Sequence, residues 1–403
     1  MDMSKIRQYN IMHRWAYVAP EFISQLSMRA LADDRDGGQT THGHSRAVDH
    51  LYTTQTRTRR YEAQWKNALL FDDGRNSSLA LILHGSHHNA DYAFGHNLYD
   101  VIQHFAAETT SGLYAQYTFK PHNRFSIMPG VRYDYSSRFG GFVTPRLHLK
   151  FQPADVLTLR ASAGKGYRSP HAFAENVTLL ASGRTFLIDN DLQQEEAWNY
   201  GISASLKLPI ADKQLELNAE YYYTDFRHQM VVNIDGAAGA HTVRFENLHG
   251  SSYSHTLQLD ATYPFFEGFS ATAAFRYNDA RTTYDGTLRR RPLTSRYKGL
   301  LTLSYKTPLE LWHFDLTGHL NGSGDLYDHT SYPTFFQLQA QITREFRHFS
   351  IYLGGENLTG YKITHPIIGA ANPWSPAFDA TQIYGPTEGA MAYIGIRFNL
   401  ENL

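Results

Sequence analysis

Hydrophobic and polar residues alternate with a period of two along most of this chain, a pattern that predicts β-strands. From Val143 to Phe151, Val143, Leu147, Leu149 and Phe151 interleave with Thr144, Arg146, His148 and Lys150. Leu215, Leu217, Ala219, Tyr221 and Tyr223 interleave with Glu216, Asn218, Glu220 and Tyr222. Leu257, Leu259, Ala261 and Tyr263 alternate with Gln258, Asp260 and Thr262, and Phe336, Leu338, Ala340 and Ile342 with Gln337, Gln339 and Gln341. Tyr61, Ala63, Trp65, Leu69 and Phe71 share a face, as do Ala390, Ala392, Ile394, Ile396 and Phe398. No long segment carries a comparable 3.6-residue period.

About 17 strands are predicted. They cover 5–15, 21–31, 57–71, 77–89, 107–119, 124–135, 143–152, 155–166 and 194–208 in the first part of the chain. The rest are 213–231, 242–263, 268–280, 294–307, 310–321, 334–345, 347–357 and 389–399. The first two alternate least well. Pro129 falls inside a strand, removes a ladder donor, and predicts a bulge or break.

The connections alternate in length. Short ones fall near Phe71–Asn76, Lys120–Arg124, Gln152–Asp155, Leu208–Lys213, Pro264–Gly268, Lys306–Glu310 and Glu345–Arg347. Long ones fall near Ala32–Thr56, Ala90–Ala106, Gly166–Gln193, Val232–His241, Arg281–Leu293, Gly322–Pro333 and Leu358–Glu388. In an up-and-down barrel, successive connections emerge at opposite rims. One rim here has tight turns and the other long loops, the layout of an outer-membrane β-barrel. The expected fold class is therefore all-β: an antiparallel transmembrane β-barrel.

Aromatic residues crowd the tight rim: Phe119, Phe125, Phe151, Tyr263, Phe265, Phe266, Phe269, Tyr305, Trp312, Phe314, Phe346 and Phe349. They read as a girdle at the headgroup level; ordinary packing at strand ends is the plainer alternative. Strands of about 10 residues tilted by about 45° cover the apolar band of a bilayer. With apolar faces towards lipid, a polar lumen would hold Arg146, His148, Lys150, Arg160, Glu216, Glu220, Asp260, Arg276, His313 and Asp315.

Composition narrows the function. Lys+Arg number 37 against Asp+Glu 38, a formal charge of -1 that gives no electrostatic case for nucleic acid. With no Cys, disulfide frameworks, thiolate metal sites and Cys nucleophiles are excluded. No apolar run approaches the roughly 18 residues of a spanning helix. Met1–Trp15 lacks the apolar stretch of a secretory signal. Counting strand directions, the first and last strands both run towards the short-turn side, so an odd set could not close antiparallel. Residues 1–403 are thus expected to be one barrel domain, a C-terminal fragment of a larger barrel.

Several segments resemble TonB-dependent outer-membrane receptors over roughly residues 57–399. Thr144-Pro145-Arg146 leads through Leu157-Thr158-Leu159-Arg160 to Gly164-Lys165-Gly166-Tyr167-Arg168-Ser169-Pro170, similar to the family's aromatic-Arg-small-Pro box. Asp189 to Gly201 resembles its Asn-Pro-x-Leu-x-Pro-Glu stretch, with both prolines absent. Tyr221 to Gln229, Phe245-Glu246-Asn247-Leu248, Gly354-Gly355-Glu356-Asn357-Leu358-Thr359 and Tyr393-Ile394-Gly395-Ile396-Arg397-Phe398 are further family phrases. The resemblance implies a barrel of about 22 strands closed by an N-terminal plug. Neither the plug nor a TonB box is in this sequence. It also implies energised uptake of a scarce, bulky solute such as a ferric siderophore, haem, cobalamin or another metal complex. Force would come from an inner-membrane TonB complex acting through the plug. The setting would be the outer membrane of a Gram-negative-type bacterium, with lipid and lipopolysaccharide as neighbours.

Candidate ligand contacts are few. The 21 His cluster at His42 and His44, at His84, His87 and His88, and at His96. Imidazole pairs on loops or in the lumen could hold Cu, Zn or haem iron; solvated loop residues are the bland reading. His171, between two boxes of the resemblance, is a further haem-ligand candidate, and Arg168 either contacts ligand or holds its loop. Arg289-Arg290-Arg291 could meet lipopolysaccharide phosphates or an anionic ligand, or be a solvated run. No nucleophile elbow, phosphate loop or His-Glu-x-x-His motif appears, so no catalytic residue, enzyme activity or resident cofactor is expected. The competing function is a passive porin-like channel.

Overall fold

Each predicted alternating segment becomes a strand in the protein, whose structure is a computed structural model. The structure describes residues 5–38, 52–71, 77–96, 102–235, 241–372, 375 and 377–398. The first strands are β1 (Lys5–Ala19), β2 (Phe22–Gly38), β3 (Tyr52–Leu70), β4 (Ser78–His96), β5 (Ile102–His122), β6 (Phe125–Ser136), β7 (Gly140–Ala154) and β8 (Leu157–Arg168). Next come β9 (Thr185–Ile188), β10 (Glu195–Ile210), β11 (Lys213–His228), β12 (Met230–Ile234), β13 (Thr242–Asn247), β14 (Ser252–Phe266), β15 (Phe269–Tyr284) and β16 (Thr287–Arg290). The last are β17 (Tyr297–Lys306), β18 (Trp312–Asn321), β19 (Gly324–Asp325), β20 (Ser331–Tyr332), β21 (Phe335–Glu345), β22 (Phe349–Glu356) and β23 (Met391–Phe398).

The chain divides into two compact units, Met1–Leu149 and Lys150–Leu403. In the first, β1 to β6 pair in order, each antiparallel to the next. In the second, β8, β10, β11, β14, β15, β17, β18, β21, β22 and β23 pair in that order, again antiparallel. Tight turns demand particular backbones. Gly268, with φ +80, joins β14 to β15, and a Cβ there would lie 2.0 Å from the Lys306 carbonyl oxygen.

Two boundaries differ from the alternation. The expected strand 213–231 breaks after His228, and 242–263 breaks after Asn247. The pieces between the breaks, β12 and β13, leave the wall and join β9 in a separate three-stranded sheet with β13 at its centre. Among the described residues the main sheet holds 18 strands, one more than expected, and the extra one is β16. It folds back on β15 through Asp285 (φ 47) and Gly286 (φ +74). Two successive positive φ values suit the right-handed twist of a two-residue hairpin, and Asp-Gly is its strongest sequence signal. At Pro129 the ladder skips from Gln116↔Gly130 to Phe119↔Ile127, the local break that the missing donor requires.

Register sorts the side chains by face. Ile202, Tyr221, Leu259, Phe275, Leu301, Leu316 and Ile342 lie on the exposed face of the second unit; Ile202 is 61% and Leu301 48% exposed. Opposite them lie Arg160, Glu216, Glu220, Asp260, Arg276, His313 and Asp315. There Asn218 donates to Asp260 (2.8 Å) and Ser304 to Asp315 (2.7 Å). Large apolar side chains on the exposed face are unstable in water and favourable against hydrocarbon. The arrangement is that of a membrane-spanning wall.

Its tight-turn rim carries a continuous run of rings. Phe265, Phe269, Phe266, Tyr305, Phe314 and Trp312 follow one another at centroid spacings of 4.9–6.3 Å. Arg344 lies over both Trp312 (5.1 Å) and Phe346 (5.5 Å), and Phe346 stacks on Phe349. A second row, not anticipated from the sequence, lies on the same face nearer the long loops. It comprises Trp198, Tyr200, Tyr223, Tyr253 and His255. On β14, His255 of this row and Phe265 of the rim are ten residues apart, roughly 33 Å along the strand and about 23 Å of height once tilted.

Candidate functional site

On the long-loop side of the second unit, the connecting segments form an assembly with its own core. The chain from β8 makes a helical turn at Ala172–Glu175, a 3-10 turn at Val177–Leu180, and then β9. β9 lies parallel to β13, and β13 antiparallel to β12. Phe245 and Val243 are fully buried there, with Met230, Leu179 and Ala172 around them. Phe173, Phe186 and Phe245 form a triangle of rings 6.0–6.4 Å apart. Tyr327, from the connection after β18, packs against the same core. Burying a Phe contributes about 1.5–3 kcal/mol, enough to hold loops that have few ladder bonds.

Charged pairs tie this core to distant segments. Arg184, buried, donates to Asp235 through Nε (2.9 Å) and Nη2 (2.6 Å), and its Nη1 lies 2.9 Å from the buried Asp379. Backbone bonds run alongside: Gly183 N–H to the Phe378 carbonyl and Ala380 N–H to the Ala181 carbonyl, both 2.9 Å. Asp379 also accepts from the Thr381 amide (2.7 Å) and hydroxyl (2.6 Å). The Arg184 hydrogen bond holds the Asp235 carboxyl below its ordinary value, against the effect of burial. For Asp379 burial pushes upward, but Thr381 and Arg184 outweigh it and leave the carboxyl lowered. The segment after β22 is thereby strapped to the segment after β8.

Arg168, at the end of β8, is held by two carboxylates, Glu195 and Glu175, the latter at 2.9 Å. Glu195 in turn accepts the Met230 amide (2.9 Å) at the point where the chain leaves the wall. The His171 amide donates to Glu175 at the start of the helical turn (3.2 Å). Burial pushes the Glu175 carboxyl up. Beside this group the three arginines of the sequence run are engaged or half-buried. Arg290 pairs with Asp279 (3.3 Å), Arg289 contacts His329, and Arg291 acts electrostatically on Glu175 and Tyr327. Arg296 pairs with Asp325 (2.9 Å). Phe335 and Tyr361 stack at 4.6 Å, as do Tyr332 and Tyr384. Burial, with the Tyr384 contact, pushes the Tyr361 phenol up to about 12.

The sequence candidates scatter. His42 and His44 lie outside the described residues, and His96 is the last residue of β4. His87 and His88, adjacent on β4, point to opposite faces and cannot grip one ion together. His87 lies on the apolar face and bonds Thr109 (2.9 Å). His88 lies on the polar face, its register partners there being Arg60 and Glu108. Among the described residues, no three His, Asp or Glu side chains converge to hold a metal. Only Arg168 and His171 belong to the loop assembly. Arg184, Asp235, Asp379 and Glu195 escaped sequence reading because their partners stand 27 to 195 residues away, at no repeating interval.

The first unit has a polar cluster of its own. Arg132 binds Asp134 bidentately (2.5 and 2.7 Å), and the buried Asp134 lies over Gly112. Ser136 donates to Glu108 (2.6 Å), and Arg60 pairs with Glu62 (2.5 Å).

The family model described as TonB dependent receptor-like, beta-barrel matches residues 8–358. Among solved structures, the chain is similar to the ferric enterobactin receptor PfeA of Pseudomonas aeruginosa, at 13% identity and a TM-score of 0.70. The match covers 97% of this chain and 61% of that one. It is similar to the copper transporter OprC at 14% identity and 0.72, covering 98% and 65%. The siderophore receptor PirA of Acinetobacter baumannii gives 13% and 0.72, covering 98% and 62%. This chain therefore spans less than two thirds of each relative. No curated protein sequence matches it.

Proposed function

Because the chain belongs to the TonB-dependent receptor β-barrel family, we propose that it forms wall and outer loops of a receptor importing a bulky metal complex across an outer membrane. The observation that carries this reading is the loop assembly around Phe245 and Arg184. Preorganised loops at one rim of a membrane wall suit capture of a large solute from outside. The proteins it resembles are named as ferric enterobactin, siderophore and copper receptors or transporters, so a ferric siderophore or a copper complex is the ligand class we favour. We place Arg168 and His171, with the Arg289–Arg291 run, at the ligand-facing edge. Release of a tightly held ligand needs work, because the outer membrane holds no ATP; a TonB complex acting through a plug would supply it.

Uptake of labelled ferric siderophores, haem and copper complexes by cells bearing the full-length receptor, with and without TonB, tests this. Accumulation that requires TonB is expected. Accumulation indifferent to TonB would mean a passive channel, and a water-soluble monomer would end the membrane reading.

A further inference from the structure

Between β22 and β23 the second unit carries a two-armed ribbon. The Ile363 amide donates to the Pro386 carbonyl (3.0 Å), and Ile368 and Asp379 exchange amide bonds (2.8 and 2.9 Å), so residues 361–368 run beside 379–388. The root of the ribbon is pinned. Asn357 is buried there at φ 48, a left-handed backbone that Asn tolerates. Its Nδ2 donates to the carbonyls of Tyr361 (2.7 Å) and Glu388 (3.0 Å), one on each arm. Gly360, at φ +65, donates its amide to the Asn357 carbonyl (2.7 Å). Tyr361 stacks on Phe335, which shares the polar face of β21 with Gln337 and Gln339.

The far end of the ribbon does not stay over its own strands. Along the ladder of the second unit β8 stands first and β22 ninth, about 38 Å apart within the sheet at 4.8 Å per interval. Yet Asp379, on a ribbon rooted at β22, lies opposite Ser182, in the connection that follows β8. The Gly183–Phe378 and Ala380–Ala181 backbone bonds bracket that pair, and Arg184 grips Asp379 (2.9 Å). On the way, the Tyr327 amide donates to Gln382 Oε1 (3.3 Å) and Tyr332 stacks on Tyr384, both from the connection between β18 and β21. The ribbon therefore crosses the long-loop ends of the strands in between. Its far contact is built to part. Arg184 also holds Asp235 through two bonds, and Asp379 also accepts from the Thr381 amide and hydroxyl. Separating an ordinary buried ion pair strands a charge, which is what makes it costly. Here each ion keeps other partners.

We propose that this ribbon is a hinged gate: it turns about its root at Asn357 and Gly360, and the Arg184–Asp379 contact is the latch that holds it across the long-loop end of the wall. The gating role rests on the uptake reading above, in which solute approaches the polar face from that side. Two variants of the full-length protein test it. Asp379→Asn weakens the latch and leaves Arg184 on Asp235. Hydrogen exchange should quicken about tenfold over 361–368 and 379–388, the factor expected for one charge-assisted bond, while β12 and β13 keep their protection. Equal quickening in β12 and β13 would make Asp379 a general brace, and unchanged exchange would mean that the ribbon does not open; either overturns the gate. The second variant combines Ser182→Cys with Asp379→Cys. The two positions are directly opposed without bonding each other, a pairing with Cα atoms about 4.5 Å apart and within disulfide range, and this chain has no Cys of its own. Oxidised, the variant should no longer take up the labelled ferric siderophores, haem or copper complexes that the unaltered receptor accumulates, and reduction should restore uptake. Full uptake by the oxidised form would overturn the gate. Folding is monitored by heat-modifiable migration; if the double variant fails to fold, Asp379→Asn decides alone. If the unaltered receptor accumulates none of the probes, the uptake reading fails, and exchange still decides whether the ribbon opens.

Discussion

The wall and the loop assembly of the second unit are built from similar residues used in opposite senses. On the wall, Ile202 and Ile394 are 61% and 75% exposed, while in the loop assembly Phe245 and Val243 are wholly buried. Charge inverts too. Wall polar residues meet across neighbouring strands on one face, as Asn218 meets Asp260; in the loops, Arg184 and Asp379 are buried together between segments far apart in sequence. The contrast follows from solvent. Hydrocarbon removes the penalty for exposing apolar side chains and demands that the backbone be fully paired. Water restores the penalty, so the loops must make a small globular core. A chain crossing both media needs two hydrophobic codes, and it changes code near Gln229, where β11 gives way to β12.

The sharpest way to break this contrast is Arg184→Met. It strands the buried Asp379 carboxylate and should cost the loop assembly about 3–5 kcal/mol. Hydrogen exchange should rise over 172–188, 230–247 and 363–382 while β14 and β15 stay protected; equal loss in the wall would show the two parts are one cooperative unit. Next comes a pair on β14. Leu259→Lys puts a charge on the lipid face and should cost about 2–4 kcal/mol in urea unfolding from vesicles. Its neighbour Gln258→Lys, between Glu220 and Arg276 on the polar face, should cost under about 0.5 kcal/mol. Similar costs at both positions would refute the sidedness. In the first unit, Gly112→Ala brings a Cβ to 1.9 Å from the Asp134 carboxylate. Displacing that group should cost about 1–3 kcal/mol, read by the same unfolding, with the loop assembly unaffected.

The smallest effect is pH-dependent. Unfolded, Asp235 titrates near its ordinary value of about 3.9; folded, its carboxyl is held lower by the Arg184 hydrogen bond. Its contribution is therefore complete above that ordinary value and disappears as pH falls through the lower folded value. Proteolysis of the loop assembly should accelerate only below about pH 4, and Asp235→Asn should flatten the profile. Loss beginning near neutrality would point to another group.

The sequence by itself determined the wall. Alternation in segments such as 215–223 and 257–263 states which residues face hydrocarbon, because a strand turns its side chains over at every residue and each face meets one medium. Turn spacing then gave the two rims, and rings near the short turns marked one of them. The Asp285-Gly286 pair is an equally legible hairpin signal inside a connection whose length alone predicts a loop. Only tertiary structure decided the rest. Met230, Val232 and Ile234 share one face of β12, and Val243 and Phe245 of β13 alternate with Thr242, Arg244 and Glu246, so alternation continues straight through the place where the chain leaves the sheet. His87 and His88 read as a pair but are divided by the pleat between two faces. Arg184 finds Asp379 across 195 residues, and closing so long a loop leaves no local mark: the interval costs only a slowly growing chain entropy, so nothing in the nearby sequence need reveal it.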